Sequence, residues 1–128
     1  MTRQHINPDG TTVTVPATAR ISRYASIGDG ARIVAPTDVV CVEGLFGQSA
    51  RCVSIYRTVR DGGEVGHEVT AGCFVGSLDD MAANLKNPAA QWPGATDEQR
   101  AVFVAEYKAI RKMFKLRAAQ FTGAGDAA

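Results

Sequence analysis

A chain of 128 residues with 45% hydrophobic and 21% charged content has the makeup of a single globular domain. Its 14 Lys and Arg against 13 Asp and Glu leave a net charge of +1, so no overall field selects nucleic acid or a membrane surface as partner. No apolar run approaches the roughly 18 residues that a membrane span needs, and residues 1–10 lack the apolar stretch of a signal peptide. The expectation is a cytoplasmic protein in which Cys41, Cys52 and Cys73 stay reduced and serve as small buried hydrophobes.

The first pattern along the chain is a six-residue beat. Ile21, Ile27 and Ile33 recur six apart, each preceded two positions earlier by Ala19, Ala25 or Ala31, and Val15, Val39 and Leu45 extend the register. Neither the helical period of 3.6 nor the strand period of 2.0 produces this spacing. In "ASIGDGARI", Gly28 and Gly30 give the backbone freedom for a tight corner. Over residues 13–47 the pattern resembles the hexapeptide repeat of left-handed β-helix proteins, best known from the hexapeptide acyltransferases. The resemblance implies a triangular coil of three hexapeptides per turn, hence a stub of about two coils. So short a stack cannot cover its own faces, and the rest of the chain or identical copies must do so.

A β-hairpin is predicted over residues 51–75. Val53, Ile55 and Val59 alternate, Asp61-Gly62-Gly63 reverse the chain, and Val65, Val69, Ala71 and Cys73 alternate again. Ser77 with Asp80 opens a short helix over 77–86. Pro88, Pro93 and Gly94 then predict a loop. Thr96 and Gln99 form a capping box for a long amphipathic helix over 96–121. Its apolar residues Phe103, Tyr107, Ile110 and Phe114 lie four, three and four apart. The predicted fold is therefore a single domain, mostly β with a C-terminal helix. The order of elements, with Gly72, Cys73, Phe74, Gly76, Ser77, Leu78, Asp79 and Asp80 at the turn into the short helix, is similar to small phage and prophage proteins labelled as hexapeptide transferases.

Acyl transfer of the hexapeptide type needs a general base and acetyl-CoA. His67 is the candidate for the base, although its alternation with Val65 and Val69 puts it on the hairpin's apolar face, and Glu68 points the other way. No other cofactor and no metal site is indicated, since no HExxH or paired-cysteine motif occurs. Arg51, Tyr56, Arg57 and Arg60 offer guanidinium forks and a ring suited to phosphate and base. The favoured expectation is thus a homo-oligomer, threefold by analogy, holding a small anion or nucleotide between subunits, as in sequestering a signal during phage defence. Phe103, Tyr107, Ile110 and Phe114 would supply its interface. The alternatives are a minimal acyltransferase and a structural phage component. Neither a membrane nor an extended nucleic acid is expected as partner.

Overall fold

The computed structural model describes residues 1–45 and 52–123. It is a mixed architecture of two antiparallel sheets and a long C-terminal helix. Strands β1 (Thr2–Ile6) and β2 (Thr12–Pro16) form a hairpin. Strands β3 (Val39–Glu43), β4 (Cys52–Val59), β5 (Val65–Ala71) and β6 (Phe74–Gly76) form a four-stranded sheet in that order. Helices α1 (Leu78–Asn84), α2 (Pro88–Gln91) and α3 (Asp97–Ala118) follow. Among the described residues no helix is long and apolar enough to cross a membrane.

β4 explains the layering. Its first six residues are all buried, which requires cover on both faces of the sheet. Val53 and Ile55 on β4 and Val69 on β5 face Leu78, Met81, Tyr107, Ile110 and Phe114 of α1 and α3. Cys52 and Tyr56, on the alternate face, pack with Val15, Ala19, Ala25, Ile27, Ile33 and Val39. The order of layers is therefore repeat segment, sheet, helices.

The six-residue beat is real, and it builds turns. Backbone bonds close from Ala19 N–H to Pro16 O (3.0 Å), Ala25 N–H to Ser22 O (3.0 Å) and Ala31 N–H to Gly28 O (3.2 Å), one turn per repeat. Arg3 Nη2 donates to Ala19 O at 2.7 Å, and His5 Nε2 lies 3.0 Å from Ala25 O. Two strand residues span about 7 Å, whereas six extended residues would span about 20 Å. The repeat therefore advances by compact turns docked along β1. Among the described residues every strand pairing is antiparallel and neither sheet is closed, and no left-handed β-helix is seen. Nor is the repeat's aliphatic row left bare: Ile27 and Ile33 are buried within this one chain, and Ile21 is half-buried.

Residues 1–16, expected to be polar leader and coil, are the clamp on that segment. Asn7 grips Ile27 with both ends of its amide, accepting from its N–H at 2.8 Å and donating to its carbonyl at 2.8 Å, and also donates to the Thr11 hydroxyl at 3.0 Å. The expected hairpin is present as β4–β5, with Gly62 and Gly63 at φ +91° and +85° in the reversal, but it is the centre of a wider sheet. Both expected helices start where anticipated, with the Ser77–Asp80 and Thr96–Gln99 capping boxes formed. The expected loop carries one short helix, α2, because Pro88 sits at its first turn, where a missing N–H costs nothing.

Candidate functional site

Of the four residues expected to converge on an anion, the three that are described, Tyr56, Arg57 and Arg60, do not come together. Arg51 lies outside the described residues. Tyr56 and Arg57 are successive on β4 and so point to opposite faces of the sheet. The Tyr56 hydroxyl accepts from Gly28 N–H at 3.0 Å and donates to the Glu68 carboxylate. Burial, reinforced by that carboxylate, raises its pKa well above the usual phenol value. Arg57 is only 1% exposed. Its Nε donates to Thr122 O at 2.7 Å and its Nη1 to Arg32 O at 2.9 Å. Arg60 is exposed beside the β4–β5 turn, where its backbone pairs with Glu64.

His67 has a structural task. Its Nε2 accepts the backbone N–H of Leu78 at 3.1 Å, the first residue of α1, so the ring caps a helix start whose N–H groups lack internal partners. This requires the neutral ring protonated on Nδ1. Burial holds its pKa below the usual histidine value, against an opposing pull from Asp79. The lone pair that a general base would use is engaged by the backbone. A depressed folded pKa means that the contribution is present above the ordinary histidine range and is lost as pH falls through the folded value. Urea unfolding is therefore expected to show lower stability at about pH 5 than at about pH 8 from this group, a difference that His67→Ala removes.

The four aromatic and aliphatic residues expected at a subunit interface face the wrong way for one. Tyr107, Ile110 and Phe114 are buried in the chain's own core, and Phe103 is half-buried against Trp92. The Trp92 indole N–H is buried without a partner among the described residues, beside a cavity of about 50 Å³. That is room for a few water molecules, and too small for a ring such as benzene, which needs about 150 Å³.

Two features stand out that sequence reasoning missed. The first is on α3. Opposite its core face run Val102 (52% exposed), Met113 (45%) and Leu116 (68%), with exposed Ala105 and Ala109 between them. Their spacings of three, four, four and three make a continuous apolar seam. The periodicity of this seam was present in the sequence, but the stronger aromatic stripe masked it.

The second is a pair of thiols. On β3 and β4, Cys41 lies opposite Ser54 and Glu43 opposite Cys52. Ser54 Oγ is 3.3 Å from Cys52 Sγ and donates to Cys41 Sγ at 3.5 Å. Cys52 is buried, Cys41 half-exposed and Cys73 exposed, so only one of the three is the buried hydrophobe expected. Cys41 opens onto a shallow cleft with Arg3, Arg20, Ser22 and Glu43, where the Ser22 hydroxyl donates to the Glu43 carboxylate. Interaction with the Cys52 thiol, aided by Ser54 and the Ser22 backbone, lowers the Cys41 pKa to about 6 against the opposing effects of burial and the Glu43 carboxylate. The same contact, and burial, push the Cys52 thiol up. The two thiols are thus biased in opposite directions, the inner sulfur toward keeping its proton and the outer sulfur toward the thiolate. The signal in the sequence was the alternation of "VVCVE" and "CVSIY", which could have been paired as strands.

Among the described residues no three His, Cys, Asp or Glu side chains are grouped to hold a metal ion. No family model, no curated protein and no solved structure matches this chain.

Proposed function

We propose that this protein is a non-catalytic, self-associating binding module that acts as a symmetric pair joined through α3. The observation that carries this reading is the exposed seam of Val102, Ala105, Ala109, Met113 and Leu116. Monomeric proteins rarely leave so continuous an apolar surface to water. The 22 residues of α3 give a helix about 33 Å long, enough for several turns of side-chain interlocking.

Charge selects the occupant and its direction. The start of α3 carries exposed Asp97 and Glu98, and its second half carries exposed Lys108, Lys112 and Lys115. A second copy laid antiparallel brings each acidic start against the other's basic end, and a two-fold axis makes both contacts at once. The threefold arrangement suggested by the hexapeptide resemblance has no such support, because the repeat's aliphatic row is already covered by its own chain.

Light scattering of the purified protein tests this. The expected mass is twice that of one chain. Met113→Glu and Leu116→Glu each are expected to weaken association at least roughly 100-fold by placing a charge in the seam, with unchanged circular dichroism. A single-chain mass for the unsubstituted protein, or a dimer indifferent to both substitutions, sinks the proposal.

A further inference from the structure

We infer that Cys41 and Cys52 form a peroxide-responsive dithiol, with Cys41 the sulfur attacked and Cys52 the one that resolves it. The pair lies on the sheet face opposite α3, so this inference does not rest on self-association.

The assignment of roles follows from position. Cys41 is half-exposed and lines the cleft with Arg3, Arg20, Ser22 and Glu43, where a small neutral peroxide can reach its sulfur. Cys52 is 4% exposed and lies behind it. Ser54 touches both sulfurs and can pass its hydrogen bond from one to the other. The thiolate on Cys41 supplies the nucleophile, and the proton held on Cys52 supplies the leaving group's proton in the second step.

The chemistry balances with a hydroperoxide as the only co-reactant. The Cys41 thiolate attacks one peroxide oxygen and the O–O bond breaks. The other oxygen leaves and takes a proton as an alcohol, or as water from hydrogen peroxide. Cys41 is now a sulfenic acid. The Cys52 sulfur attacks that sulfur, the S–O bond breaks, and the hydroxyl departs as water with the proton from Cys52. Two thiols have lost two electrons to one peroxide, and a disulfide joins β3 to β4.

Closing that bond has a structural consequence. Cys41 is opposite Ser54, so Cys52 is its diagonal neighbour. Diagonal neighbours in an antiparallel pair are about 7–8 Å apart, whereas a disulfide holds its Cα atoms within about 6.8 Å. Oxidation must therefore slide the end of β3 along β4. Among the described residues β3 lies at an edge of its sheet, so there this movement breaks no pairing on a second side.

The test treats the Cys73→Ser protein, which keeps only this pair, with a slight excess of hydrogen peroxide and maps its peptides by mass. The expected product has lost two hydrogens and links the Cys41 and Cys52 peptides. With Cys52→Ser added, one oxygen is expected on Cys41, captured by dimedone. With Cys41→Ser added, Cys52 is expected to stay unmodified. If a variant fails to fold, peptide mapping of the unsubstituted chain separates the same outcomes, because exposed Cys73 should react more slowly than Cys41. Hydrogen exchange confined to faster opening of β3 on oxidation would support the sliding. No linked peptide, oxidation of Cys73 ahead of Cys41, or equal oxidation of Cys52 without Cys41 overturns the inference.

Discussion

Arg57→Met is expected to cost about 3 kcal/mol of stability and to lower the thermal midpoint by roughly 10 °C. The side chain is 1% exposed, in the centre of the molecule. It ties together three segments distant in sequence: the sheet, the repeat segment through Arg32 O, and the chain following α3 through Thr122 O, 65 residues away. Arg32 N–H returns a bond to the Arg57 carbonyl at 2.9 Å, so the side chain locks a junction that the backbone has already begun. Methionine fills much of the volume of the stem but leaves both carbonyls without their charged donor. Lysine is expected to recover only part of the loss, because a point charge cannot serve two carbonyls in the fixed directions of a guanidinium fork. Arg60→Met is the control. That residue is exposed beside the hairpin turn, and its loss is expected to change stability by less than about 0.5 kcal/mol. Urea unfolding of both variants checks this, and equal effects would mean that Arg57 carries no structural weight.

The contrast between these two arginines shows where sequence reasoning loses sight of the site. Arg51, Tyr56, Arg57 and Arg60 are close along the chain and carry the right chemistry for an anion. Strand alternation sends Tyr56 and Arg57 to opposite sides, and both are taken up by partners that no local pattern displays: Gly28, Arg32, Glu68 and Thr122. His67 is similar. Its place on an apolar face was legible, yet its bond to Leu78 N–H depends on where α1 begins in space.

What was legible is local. Capping boxes involve residues three apart, the Asp61-Gly62-Gly63 reversal is contiguous, and the six-residue row is buried at Val15, Ile27, Ile33, Val39 and Leu45 as its regularity implied. What failed is the meaning of that row, because the same aliphatic spacing serves a coil of parallel edges or a run of turns. The difference is set by Arg3, His5 and Asn7, whose side chains bind the repeat's backbone. These are polar residues near the start of the chain, and their composition suggested solvent. His5 and Asn7 are instead buried donors and acceptors with partners 20 residues on. The thiol pair was hidden by the same error. While residues 39–43 counted as coil, Cys41 and Cys52 had no register to share.

Phe114→Ala is expected to be the most damaging single truncation, at about 3–5 kcal/mol, because the surrounding core cannot collapse into the space left by a whole ring. Phe114 has no exposed surface and belongs to the cluster that includes Val53, Ile55, Val69 and Tyr107, where α3 meets the centre of the sheet. Its value as a test lies in its neighbour two positions on. Leu116 is 68% exposed on the other side of the same helix. If the core face holds the fold and the outward seam holds the partner, the two substitutions separate completely. Phe114→Ala lowers the urea midpoint and leaves the folded fraction associated, while Leu116→Glu leaves the fold intact and dissociates the pair. The reverse outcome, a stable Phe114→Ala chain that has lost its partner, would restore the aromatic stripe as the interface and require α3 to leave the sheet when copies meet. Light scattering combined with urea unfolding on the same samples distinguishes the two, since each variant is assigned by which of the two measurements it moves.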